Sequence, residues 1–190
     1  MEPAIVFVRH AETVYNVRGL VSGDPGNRAC VLSERGEEQA GALGRELSAV
    51  PFDLCVTSGF IRARQTADLV LAGREVPRLE LADLNEVAVG ELEGMPVAEF
   101  EAWLESNGAL AAVPPGGESL VQALARWRCA YETIAARPEE RMLVVAHQTP
   151  LAVLFRALAF ESQADGIVRN AAPYPVTRTA LVEAIAQLRL

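Results

Sequence analysis

Ile5-Val6-Phe7-Val8-Arg9-His10-Ala11-Glu12-Thr13 is an apolar run that stops abruptly at an arginine and a histidine. A second run, Met142-Leu143-Val144-Val145-Ala146, stops the same way at His147. These two histidines are the only ones in the chain. Apolar runs that are continuous rather than alternating predict strands buried on both faces, here over residues 4–9 and 141–146.

Working outward from these runs, Ser33 is placed to cap a helix reaching about Ser48, with Ala40, Leu43, Leu47 and Val50 as its apolar stripe. Phe52 to Thr57 reads as a second strand. Ser58 is then placed to cap a helix through about Leu71, with Arg62 in its first turn and Ala63, Thr66, Ala67 and Val70 on its packed face. A short strand is expected over 76–81. Pro96 suits the first turn of a helix to about Ser106. Ser119 with Gln122 forms a capping box ahead of Leu120, Leu124, Trp127, Tyr131 and Ile134. Thr149 and Pro150 open a helix carrying Leu151, Leu154, Phe155 and Leu158. Residues 14–27, 84–94, 107–117 and 162–175 read as irregular, and Thr179 to Ile185 as a closing strand. Strands alternating with amphipathic helices predict an α/β domain with a largely parallel sheet. In such sheets ligands bind beyond the carboxyl ends of the strands. That rule aims His10, His147, Arg9 and Arg62 at one edge.

Composition narrows the function. A length of 190 residues suits a single domain over 1–190, with a small lid or insertion around 84–118. No apolar run approaches the ~20 residues of a membrane span, and the N-terminus has no signal-peptide pattern, so a cytoplasmic location with no membrane partner is the expectation. The net charge of −8 argues against nucleic-acid binding, which needs a basic face. All 17 basic residues are arginine. Without lysine there is no Walker A lysine, no kinase strand lysine and no pyridoxal Schiff base. Cys30, Cys55 and Cys129 form no CxxC pair, which favours neither zinc nor a disulfide framework. A homodimer is kept as an alternative to a monomer.

Two arginines and two imidazoles around a crevice make a receptor for a phosphoryl group. Arginine offers paired planar donors to phosphate oxygens. A neutral imidazole can be a nucleophile, and neighbouring arginine charges lower its proton affinity. An acid is then needed for the leaving alcohol.

Arg9-His10-Ala11-Glu12-Thr13 with Asn16 resembles the RHGE-T-x-x-N signature of the histidine phosphatase superfamily, the phosphoglycerate-mutase-like fold. Ser58-x-x-x-Arg62-Ala63-x-Gln65-Thr66-Ala67, Leu84-x-Glu86-x-x-x-Gly90-x-x-Glu93-Gly94 and Val144-Val145-Ala146-His147 are similar to further family segments, as are Leu32-Ser33-Glu34-Arg35-Gly36 and Pro115-Gly116-Gly117-Glu118-Ser119. The resemblance implies a three-layer α/β/α sandwich with a mostly parallel sheet. It implies His10 as the nucleophile that becomes phosphorylated, with Arg9, Arg62 and His147 binding phosphoryl oxygens. Glu86 would be the proton donor, and Asn16 a hydrogen-bonding partner on the phosphate side. Ser22 and Gly23, in the loop after the nucleophile, and Gln148 complete the candidate phosphate-binding set. Neither a metal nor an organic cofactor is expected. Ala11 and Gln148 stand where the family pattern has glycine. A methyl at position 11 is intolerable if the backbone there needs positive φ, and the Gln148 side chain either lines the pocket or crowds it.

Rival chemistries fail on spacing. Cys55 and Arg62 have six intervening residues where the cysteine-phosphatase loop has five. No G-x-S-x-G elbow is present, and no G-x-G-x-x-G follows the first strand. The expectation is a metal-independent phosphomonoester hydrolase acting on a small phosphorylated metabolite. The segment 106–115 is short and offers no arginine or lysine to a second anionic group. Mutase-type phosphoryl transfer is the alternative, and a non-catalytic phosphate-binding module is a further one.

Overall fold

The computed structural model describes residues 5–159 and 167–188. Five strands form one sheet in the order β3-β2-β4-β1-β5: β1 is Ile5–Arg9, β2 Leu54–Thr57, β3 Arg78–Glu80, β4 Met142–Ala146 and β5 Pro173–Val176. All neighbours run parallel except β5, which lies antiparallel to β1.

The two apolar runs are adjacent strands, with Ile5 opposite Met142 and Arg9 opposite Ala146. Both are buried on both faces, as an unbroken apolar run requires. Ile5, Phe7, Val56, Met142 and Val144 point to one side, under α5 (Leu120–Ala135), α6 (Gln148–Ala157) and α7 (Arg178–Gln187). Val6, Val8, Cys55, Leu143 and Val145 point to the other, under α2 (Glu34–Glu46) and α3 (Ile61–Val70). The result is a three-layer α/β/α sandwich with a mostly parallel sheet. Among the described residues no helix is long and apolar enough to cross a membrane.

Five local readings change. Residues 14–27 contain a helix, α1 (Val14–Arg18), which Thr13 and Asn16 close with a reciprocal capping box. Helix α3 begins at Ile61 with Phe60 at its cap position, so Ser58 is released from capping. Helix α6 begins at Gln148 with His147 at its cap position, two residues before the cap at Thr149 and start at Pro150 that were expected. The C-terminal segment is a helix rather than a strand. Thr177 accepts from Ala180 N, and Leu181, Ala184 and Ile185 are buried at a helical spacing that a two-residue period cannot satisfy. Part of 162–175 is strand β5, and residues 162–166 lie outside the described residues. A fourth helix, α4 (Val97–Asn107), follows a stretch with two 3₁₀ turns at Ala82–Leu84 and Gly90–Leu92.

Candidate active site

Strand order converts sequence separation into proximity. Strand β4 is central, with β1 and β2 on either side, and all three run in the same direction. The ladder continues past the strand ends: His10 N donates to Ala146 O (2.9 Å), and Ser58 N to Val145 O (3.3 Å). His10, His147 and Ser58 therefore emerge side by side at the carboxyl edge, and the imidazole centroids of His10 and His147 are 5.3 Å apart. Arg62 arrives from the first turn of α3 and is 3% exposed.

Each polar atom has a traceable assignment. The His10 Nδ1–Ala11 O distance is 2.8 Å. A carbonyl oxygen only accepts, so the proton sits on Nδ1 and the lone pair on Nε2. Asn170 Nδ2 donates to His10 O (2.7 Å), which fixes the backbone from the other side. His147 is fully buried, edge-to-face with Phe60 (4.6 Å), and its Nε2 lies 2.6 Å from Ser58 Oγ. Its Nδ1 has no hydrogen-bond partner among the described residues. Burial, reinforced by the nearby arginines, holds both imidazoles well below their ordinary pKa, so both are neutral at neutral pH.

The arginines are half committed. Arg9 NH1 donates to Gln148 Oε1 (3.0 Å) and Val168 O (2.8 Å), while its buried Nε has no partner among the described residues. Arg62 donates to Ser22 Oγ (3.2 Å) and Ser22 O (3.0 Å), contacts Cys30 Sγ (3.7 Å), and lies over the Phe60 ring at 4.1 Å. Burial lowers the proton affinity of both guanidinium groups, and guanidinium stays charged in proteins regardless. Glu86 accepts from Thr149 N (3.1 Å) in the first turn of α6 and from its own neighbour Val87 N (3.0 Å). A helix N-terminus there adds positive potential to the site.

A cavity of about 370 Å³ opens at this edge and is lined by Arg9, His10, Asn16, Ser22, Arg62, Glu86 and Gln148 among others. His147 and Gly23 are off its wall. His147 lies fully buried beside His10. Gly23 donates its N–H to Glu93 (2.7 Å), and a Cβ on it would sit 2.0 Å from Val87 O. Gly23 thus locks two loops together at a backbone approach only glycine allows. Asn16 is on the wall with its Oδ1 engaged by Thr13. Ser22 holds Arg62, and Gln148 holds Arg9.

Ala11 is not among the positive-φ residues. It is buried, and its N–H donates to Thr66 Oγ1 (3.0 Å). The backbone there does not need glycine. The three cysteines are free thiols, two buried and one exposed; burial raises the Cys55 pKa to about 11.

Two contributors escaped the sequence reading. Ser58 is the hydrogen-bond partner of His147. Arg126 pairs with Glu118 and donates to Asp83 O (3.0 Å), Asn85 O (2.9 Å) and Glu86 O (3.3 Å), and Trp127 Nε1 adds a bond to Asn85 O (2.7 Å). Together they anchor the backbone that carries Glu86. Arg126 follows the apolar stripe by two residues from Leu124, which was the one visible signal.

Sheet, edge and pocket define an α/β protein with an anion-receiving cleft of histidines and arginines at the carboxyl ends of parallel strands. Residues 5–177 match the histidine phosphatase superfamily (branch 1), and the chain belongs to that superfamily. Its members transfer phosphoryl groups through a phosphohistidine. The chain is 35% identical over 200 residues to the 2,3-bisphosphoglycerate-dependent phosphoglycerate mutase of Methylobacterium radiotolerans, covering 95% of this chain and 88% of the mutase. It is also 35% identical over 160 residues to the adenosylcobalamin/alpha-ribazole phosphatase of Salmonella typhimurium, covering 80% and 77%. The alpha-ribazole phosphatase of Shigella flexneri superposes with a TM-score of 0.76 at 29% identity, over 90% of this chain and 89% of that one. A mycobacterial glucosyl-3-phosphoglycerate phosphatase, in complex with VO3, gives 0.70 at 27% identity, over 92% of each.

Proposed function

We propose that the protein is a phosphomonoester hydrolase that works through a phosphohistidine at His10 on a small phosphorylated metabolite. The observation that carries the reading is the pinned imidazole. With its proton held on Nδ1 by Ala11 O, His10 keeps a lone pair on Nε2, in a neutral ring on the cavity wall beside Arg9 and Arg62. In the first step Nε2 attacks phosphorus, the phosphorus–oxygen bond to the alcohol breaks, and Glu86 donates the proton the alkoxide needs. In the second, Glu86 takes a proton from water, water attacks the phosphoryl group, and His10 is released. Arg9 and Arg62 meet the equatorial oxygens. His147 stands behind the wall, 5.3 Å from His10 between ring centroids, and is read as a further donor to a phosphoryl group on His10 through its unpartnered Nδ1, with the Ser58 hydroxyl donating to Nε2 so that Nδ1 carries the hydrogen.

Resemblance to the mutases favours transfer to a second substrate position as the alternative. Against it, Arg9 and Arg62 are the only cationic side chains among the described residues of the cavity wall. Both are occupied by the transferred group, which leaves none for a second anion. The segment 84–118, with α4, is read as a small lid over this site. The deciding experiment compares phosphate release from generic monoesters with isomerisation of phosphoglycerates, in wild type and His10→Ala. Hydrolysis lost in His10→Ala supports the reading. Efficient isomerisation selects the mutase, and release that survives His10→Ala rejects the mechanism.

A further inference from the structure

Beyond its phosphoryl end the cavity becomes apolar. One wall is the inner face of α4, where Val97, Phe100 and Leu104 recur at steps of three and four. Helix α4 has no buried residue, so this stripe is turned to the cavity without being sealed into the core. Leu20, Val87 and Leu120 also line this part. A volume of about 370 Å³ lies at the low end of the ~300–1,000 Å³ typical of small-molecule sites.

Charge sorts what can enter. Both cations lie at the phosphoryl end with Glu86, whereas Glu101 and Glu118 are the remaining charged residues on the wall, and Glu118 is already paired with Arg126. A carboxylate or second phosphate on the substrate would lose hydration there without meeting a cation, and would face like charge. An apolar group gains by displacing water from Phe100 and Leu104.

We propose that the substrate is the phosphate monoester of an uncharged, apolar alcohol, whose carbon skeleton packs on the inner face of α4. This deepens the hydrolase reading and rests on it. The test is calorimetric titration of the full chain with n-alkylphosphonates from ethyl to hexyl. Their carbon–phosphorus bond is not a substrate for hydrolysis, so binding is read without turnover. A fully buried methylene contributes about 0.8 kcal/mol, roughly fourfold in affinity, so each added carbon is expected to tighten Kd two- to fourfold. An ω-carboxylate on the hexyl chain removes that gain, and Leu104→Asp flattens the series. A flat series in wild type, or equal affinity for the ω-carboxylate, overturns the proposal. Phosphate release from the matching alkyl phosphates tests the underlying chemistry separately. Flat affinities with release remove the apolar chamber and leave the hydrolase; a slope without release upholds the chamber and removes the hydrolase.

Discussion

Replacing Ser58 by alanine tests whether His147 is held for a purpose. The Ser58 hydroxyl lies 2.6 Å from His147 Nε2, and both residues are fully buried. Its loss leaves a ring nitrogen unpaired where water cannot reach it, at a cost of about 1–3 kcal/mol. At roughly 2–4 °C per kcal/mol for a domain of this size, Tm is expected to fall by about 4–8 °C for a cost near 2 kcal/mol. Catalysis should suffer separately. Without the hydroxyl, nothing biases the imidazole toward the tautomer that carries hydrogen on Nδ1. Removing an oxyanion donor outright costs about 10²–10³ in kcat. A donor that survives in one of two tautomers should cost less, about tenfold to hundredfold. The assay is phosphate release with Tm measured on the same samples, in Ser58→Ala, His147→Ala and the double variant. The two losses in kcat should not add, because both act through one ring. A destabilised Ser58→Ala with wild-type kcat, or fully additive losses, would refute the argument and leave Ser58 a packing residue.

Other outcomes follow from single contacts. Glu86→Gln is expected to lower kcat by about 10²–10⁴ on alkyl phosphates, and far less on p-nitrophenyl phosphate, whose leaving group needs no proton; an equal loss on both would remove Glu86 as the acid. Gln148→Gly frees Arg9 NH1 from one of its two acceptors, and inhibition by inorganic phosphate should weaken about tenfold, since a hydrogen bond to a charged group is worth about 1.5–3 kcal/mol. Ala11→Gly should leave kcat unchanged and cost about 1 kcal/mol in chemical denaturation, because the backbone does not use the freedom gained. The histidines set a pH dependence. Their folded pKa values lie well below the ordinary ~6.5, so the unfolded chain takes up protons first, and stability falls as pH drops from about 6.5 toward the depressed values. Tm measured from pH 7 down to 4.5 should show that decline, and it should be shallower in His147→Gln. Over the same range kcat/KM should lack a limb at about 6.5.

The sheet was legible because its central strands are buried on both faces. That condition leaves an unbroken apolar signature at 5–8 and 142–146. The histidines and Arg62 were legible because strand ends are fixed by those runs. Three features escaped. Helix α1 is five residues long and rests on side-chain caps from Thr13 and Asn16, so it has no periodicity to read. Helix α7 hid its spacing of three and four behind a short apolar cluster around Leu181. The pairing of Ser58 with His147 and the grip of Arg126 on residues 83–86 join segments about 40 to 90 positions apart. Neither is written in local sequence; each exists only once the strand order is known.

Strand β5 carries Pro173 and Pro175 opposite Val8 and Val6 on β1. In an antiparallel ladder alternate residues turn their N–H groups inward, and a proline keeps its place only where the missing donor would have faced outward. The outer rim of β5 at these two positions therefore offers carbonyls and no donors. An approaching backbone cannot extend the sheet across it, which blunts an edge that would otherwise template strand-to-strand aggregation. Any two copies meeting at this side must recognise each other through side chains, so the strand that carries the nucleophile lies one strand in from an edge that does not grow.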